Sequence, residues 1–89
     1  MDLDNRFFAA VDRVRTGEPI PGITNEIKLT YYALYKQATH GDCKIPKPGV
    51  LSWAARAKWI AWKKFEGASR HDAMRWYINR LDRDVPNWR

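Results

Sequence analysis

Apolar residues along this chain recur at intervals of three and four rather than alternately, so the sequence predicts helices and no strand. Leu3, Phe7, Ala10 and Val14 mark a first amphipathic helix of about three turns, with Asp2 or Asp4 placed to cap its start. The run Thr16-Gly17-Glu18-Pro19-Ile20-Pro21-Gly22 ends it, because its two prolines and two glycines cannot continue a helix. A second helix is expected from Thr24 or Asn25 to about His40. Ile27, Tyr31, Leu34 and Ala38 form its buried stripe, and Gly41 supplies its stop.

Gly41 to Gly49 contains Pro46 and Pro48 and reads as an irregular loop, long enough in so small a domain to suggest either a function or disorder. The alanine-rich run from Trp53 to Trp62 predicts a third helix starting near Ser52 and closed by Gly67. Its stripe Ala54, Lys58, Ala61, Phe65 is flanked by Ala55, Trp59 and Trp62. Ser69-Arg70-His71-Asp72 fits an acidic capping box and opens a fourth helix that lasts until shortly before Pro86, with Met74, Ile78, Leu81 and Val85 on its core face. The pattern is all-α, without internal repeats, and 1–89 is expected to form one domain.

Composition narrows the partners. Five Trp, four Tyr and three Phe supply the bulk that a chain of 89 residues needs to build a core. Cys43 is the lone cysteine, so no internal disulfide is available, and the expected location is cytoplasmic. Asp2 and Asp4 do not resemble a signal-peptide start, and no apolar run approaches membrane-spanning length. Sixteen Lys and Arg against ten Asp and Glu leave a formal charge of +6, which favours an anionic partner: nucleic acid, an acidic membrane or a phosphorylated small molecule.

Beside its core stripe, the second helix carries Lys28, Tyr32, Tyr35, Lys36 and Thr39 on a neighbouring face. Phenols and ammonium groups together suit a nucleotide, since rings stack on a base, hydroxyls donate to phosphate and lysine neutralises charge. Half-buried tyrosines at a core margin with a solvated Lys36 explain the same residues. Lys58, on an otherwise apolar stripe, is either snorkelling, attracted to an indole, or holding an anion at the lip of an apolar groove. Tyr77 adjoins the core stripe of the fourth helix, where packing alone also accounts for it. Arg15 either closes a basic cluster or complements its own helix dipole. His40, His71 and Cys43 have no metal or nucleophile motif around them, so no cofactor and no catalysis are expected.

Taken in order, Tyr35-Lys36-Gln37-Ala38-Thr39, Gly41-Asp42, Lys47-Pro48-Gly49, Ala57-Lys58-Trp59 with Ala61-Trp62, Asp72-Ala73-Met74 and Tyr77-Ile78 closely resemble the acyl-CoA-binding protein family. The resemblance runs from Leu29 to Leu81, and more loosely through Phe7, Ala10 and Val14. It implies a four-helix up-down-down-up bundle with a long overhand loop between the second and third helices, and non-catalytic binding of medium- to long-chain acyl-CoA as an intracellular carrier or buffer. By resemblance, Tyr32, Lys36 and Lys58 hold the adenosine 3′-phosphate, Tyr35 lies near the adenine, and Tyr77 is a further ligand contact. Arg15 stands where the family usually has lysine.

The chain departs from the family pattern in three places. The linker between the first two helices is about two residues longer than usual, Ser52-Trp53-Ala54-Ala55-Arg56 replaces a segment richer in lysine and glycine, and Lys28 and Tyr31 stand where aliphatic residues are frequent. The expected partners are the acyl-CoA ligand itself, enzymes that make or use it, and transient membrane contact, with the chain a monomer. A nucleic-acid-binding helical module is the alternative, although the basic residues are spread over all four helices with no helix-turn-helix spacing. A thioesterase or acyltransferase on the same ligand is a second rival.

Overall fold

The computed structural model describes residues 2–89 and contains four helices: α1 (Leu3–Thr16), α2 (Asn25–His40), α3 (Trp53–Lys63) and α4 (Arg70–Asp84). Three starts are fixed by side-chain caps of the expected kind. Asp2 accepts from the Asn5 amide at 2.9 Å, Thr24 from Ile27 at 3.2 Å and Ser69 from Asp72 at 3.0 Å, each satisfying a donor that has no partner within its helix. The capping box at Ser69 is half made, because the Asp72 carboxylate turns instead to Arg75 at 2.9 Å. Gly41 ends α2 at φ +79°, a conformation that side chains with a Cβ resist.

The main core lies between α1, α2 and α4. Phe7 and Ala10 from α1, Tyr31, Leu34 and Ala38 from α2, and Ala73, Met74, Tyr77, Ile78 and Leu81 from α4 are all buried together. Phe7 meets Tyr77 edge-on at 5.3 Å, and Tyr77 meets Tyr31 in the same way at 5.1 Å, the arrangement that ring quadrupoles prefer.

The third helix departs from the expected pattern. Of α3 only Trp62 is buried; in the stripe through Lys58, Ala54 and Lys58 are exposed, while Ala61 and Phe65 pack against the core around Trp62. The helix also stops at Lys63, before Gly67. Successive i→i+3 bonds from Phe65 to Trp62, Glu66 to Lys63 and Ala68 to Phe65 tighten the chain into turns, and Gly67 lies inside the last of them at φ +91°.

Hydrogen bonds between the ends of elements give the topology. Arg70, opening α4, donates to the Ala38 and Thr39 carbonyls at the end of α2, each at 3.0 Å, while Tyr31 reaches Asp84 at the end of α4, so these two helices are antiparallel. Trp62, at the end of α3, donates to the Gly41 carbonyl that follows α2, so α2 and α3 run in the same direction. A connection between parallel neighbours must return along the whole of α3, about 16 Å for 11 residues. The segment from Gly41 to Ser52 makes that return.

The returning loop is tied down from one side. Besides Trp62 to Gly41 at 2.9 Å, Trp59 donates to Ile45 at 2.8 Å, Lys63 to Cys43 at 3.4 Å and Arg56 to Pro48 at 3.1 Å, all from α3. Beneath it Ala33, Cys43 and Trp62 form a small second core, separate from the first. The buried Gln37 amide donates at 2.9 Å both to Asp42 and to the Ala68 carbonyl, joining the loop's start to the α3–α4 turn.

Candidate functional site

The two unused faces of α2 each border a cleft. The first, about 450 Å³, lies between α1, α2 and α4. Val11, Val14 and Arg15 come to it from α1, Ile23 from the linker, Lys28, Tyr31, Tyr32 and Tyr35 from α2, and Tyr77 from α4. It therefore combines an apolar floor with four phenols and two cations. The second, about 560 Å³, lies between α2 and α3 and is lined mostly by apolar groups, including Leu29, Ala33, Ala57, Ile60, Ala61 and Phe65, with Glu26 and Lys64 at its edge.

Of the six residues singled out in the sequence, Arg15, Tyr32, Tyr35 and Tyr77 share the wall of the first cleft. Helical spacing explains this: Lys28, Tyr32 and Tyr35 are one turn apart on α2, with Tyr31 beside them. Lys58 is not in that wall, but its ammonium lies 5.5 Å from the centre of the Tyr32 ring, which sets it at the cleft's rim. Lys36 is the outlier. Its ammonium sits 4.9 Å over the Trp62 ring, a cation–π contact on the α3 side.

Electrostatics separate the tyrosines. The Tyr77 hydroxyl is pushed well above the ordinary phenol value by burial, an effect that nearby Arg15 partly opposes, so Arg15 and Tyr77 act on each other across the cleft. Among the described residues Tyr77 makes no side-chain hydrogen bond, which leaves its hydroxyl available to a guest. Tyr31 is also raised, first by burial and then by donating to the Asp84 carboxylate at 2.7 Å. Its hydroxyl is committed to the fold, so Tyr31 offers the cleft only a ring. Tyr32 is raised by burial, with a smaller contribution from Cys43. All three are neutral at neutral pH, so Tyr32 and Tyr77 keep the proton needed to hydrogen-bond a phosphate.

Lys28 lies in this wall beside Tyr32 and Tyr35, on the α2 face that the sequence sets apart from the core stripe, whereas Tyr31 enters it from that stripe. Tyr31 belongs to both the core and the cleft, and the linker that brings Ile23 to the cleft has no periodic signature. Among the described residues, no group of three or more His, Cys, Asp and Glu could hold a metal. Cys43 is buried in the second core, and His40 is exposed with its ring beside the Thr39 hydroxyl.

A family model described as acyl CoA binding protein matches residues 4–81. The chain belongs to the acyl-CoA-binding protein family. The family is one of non-catalytic binding domains. Acyl-CoA-binding protein homolog 3 of Caenorhabditis elegans is 41% identical over 86 residues, which cover 92% of this chain and 72% of that protein. A solved structure, acyl-CoA-binding protein 2 of Oryza sativa, superposes with a TM-score of 0.88 at 38% identity, covering 94% of this chain and 91% of that one. A similar segment occurs in larger proteins. Enoyl-CoA delta isomerase 2 of Rattus norvegicus is 42% identical over 73 residues, yet the chain spans only 18% of it, and about half or less of several other curated relatives.

Proposed function

We propose that this chain, acting over 1–89 as one binding domain, holds medium- to long-chain fatty acyl-CoA esters non-covalently and serves as an intracellular carrier or buffer for them. The observation that carries this reading is the first cleft, whose phenols and cations suit a phosphorylated nucleotide and whose floor is apolar. Tyr32 with Lys58 at the rim takes the 3′-phosphate of the CoA head, and Lys36 reaches it by leaving Trp62. Tyr35 lies beside the adenine, while Arg15 and the Tyr77 hydroxyl meet the remaining phosphates or polar groups.

The tail takes the second cleft, on the far side of the Tyr32–Lys58 pair, where Leu29, Ala57, Ile60 and Phe65 offer hydrocarbon surface. Each buried methylene contributes about 0.8 kcal/mol, so a long tail accounts for a preference for the ester over free CoA, while a bare fatty acid lacks the CoA phosphates and leaves most of the cation and phenol contacts unmade. The producing and consuming enzymes are the expected partners. No described helix is long and apolar enough to cross a membrane.

Titration calorimetry with acyl-CoA esters of increasing length, alongside free CoA and free fatty acid, tests the reading. Affinity is expected to rise with each added pair of methylenes until the cleft is full, with thiol release absent from the same mixtures. Equal affinity for free CoA and its long-chain esters overturns the assignment of the tail. Steady release of thiol overturns the carrier reading in favour of a thioesterase.

A further inference from the structure

The charge of the chain is not evenly distributed. From Cys43 to Phe65 there are six cations, Lys44, Lys47, Arg56, Lys58, Lys63 and Lys64, and no Asp or Glu, so this stretch alone equals the +6 of the whole chain. The remaining residues hold ten cations and ten anions and are neutral as a set. Lys63 is bridged to Glu66 at 2.7 Å; the others of the stretch have no ion-pair partner among the described residues.

The same stretch contains the most exposed large apolar side chains among the described residues. Ser52 donates to the Gly49 carbonyl at 3.0 Å, closing a turn that carries Val50 and Leu51 at its tip, and Trp53 follows as the first residue of α3. Their exposures are 75%, 94% and 77%. Turn tips ordinarily favour Gly, Asn, Asp and Ser, which water solvates, so two branched aliphatics there need a compensating environment. Leu51 at 94% stands on a convex apex rather than in a groove, the shape of a wedge that inserts into a soft apolar layer.

A bilayer interface supplies what this edge lacks. Aliphatics enter the acyl boundary, an indole favours the headgroup level, and cations near an anionic leaflet each gain from its surface potential. A nucleic acid would engage the lysines and leave Val50 and Leu51 in water. We propose that the turn at Val50–Trp53 docks reversibly on anionic phospholipid, with Lys44, Lys47 and Arg56 facing the lipid phosphates. This is independent of the acyl-CoA reading, since it concerns the ligand-free chain and residues outside both clefts.

The test is co-sedimentation of the full chain, without acyl-CoA, with vesicles of phosphatidylcholine and with vesicles containing phosphatidylserine. Binding is expected only to the second kind, weakening as salt is raised. Leu51→Glu is expected to lower partition roughly tenfold or more, and Lys44→Glu with Lys47→Glu about tenfold or more, at unchanged helicity. Val50→Ser with Leu51→Ser serves as a second, uncharged removal of the wedge, and acyl-CoA titration of each variant reports separately on ligand binding. No partition to phosphatidylserine vesicles at low salt overturns the proposal. So does partition by Leu51→Glu and the double serine variant equal to that of the parent, which marks simple charge adsorption. Tighter binding to a duplex oligonucleotide, lost in the lysine variant and kept in Leu51→Glu, assigns the edge to nucleic acid instead.

Discussion

Lys58 of α3 holds its ammonium 5.5 Å from the centre of the Tyr32 ring on α2, so the contact between these helices ends in a cation and a phenol, not in two apolar groups. Tyr32 lines the first cleft, and Ala57 and Ala61 on either side of Lys58 line the second. An anion bound to both residues is thus held where the two clefts approach each other, and a ligand with a charged head and an apolar tail finds both requirements within one seam.

Truncating that cation is expected to weaken acyl-CoA binding. Lys58→Ala, and independently Lys36→Ala, should each cost about 1.5–3 kcal/mol, the value of a hydrogen bond to a charged group. Calorimetry measures the loss and circular dichroism checks that helicity is kept. Unchanged affinity in both variants removes the phosphate from this position.

Tyr31 makes a different prediction, because its hydroxyl is bonded to Asp84 and not offered to a guest. Tyr31→Phe should lower stability by about 1 kcal/mol while leaving acyl-CoA affinity within error, since Asp84 keeps its pairing with Arg80 at 2.9 Å. Denaturant unfolding and ligand titration, run on the same sample, separate the two effects.

Arg70 joins the start of α4 to the end of α2 through two carbonyls that the helix itself cannot satisfy. Arg70→Ala should destabilise by about 1–2 kcal/mol. Arg70→Lys should recover only part of this, because an ammonium cannot reproduce the two-pronged guanidinium geometry. The melting temperatures of the three proteins give the comparison.

Acid sensitivity should trace to Asp42. The Gly67 amide at 2.8 Å, and then the Gln37 amide at 2.9 Å, hold its carboxyl below the usual aspartate value of 3.8. A pKa lowered on folding contributes stability above the unfolded value and loses it as pH falls through the folded one. Asp42→Asn should therefore melt below the parent at neutral pH, and the gap should close in strong acid, where both side chains are neutral. Melting curves from pH 7 to pH 2 follow the convergence; a gap independent of pH would remove Asp42 from this role.

The elements that the sequence revealed were those governed by local chemistry. Asp2, Thr24 and Ser69 cap where their neighbours predict, and helical spacing alone puts Tyr32 and Tyr35 on one face. Tertiary bonds of side chain to backbone left no such trace: Trp59 to Ile45, Trp62 to Gly41 and Arg70 to Ala38 join residues 14 to 32 positions apart with no spacing rule. The stripe through Lys58 left open which side of α3 faces inward for a related reason. Alanine favours helix on any face, so a helix rich in it gives a weak signal of which side is buried.

The loop from Gly41 to Ser52 is fastened to α3 at four points and covers a small core of its own, apart from the one shared by α1, α2 and α4. Loop and helix should accordingly open together, as a single cooperative unit in amide hydrogen exchange, at a lower free energy than the three-helix remainder. Lys58 travels with that unit and Tyr32 stays behind, so each opening would part the two halves of the proposed phosphate grip. Release of a tightly held ester would then be timed by the unfastening of two indoles.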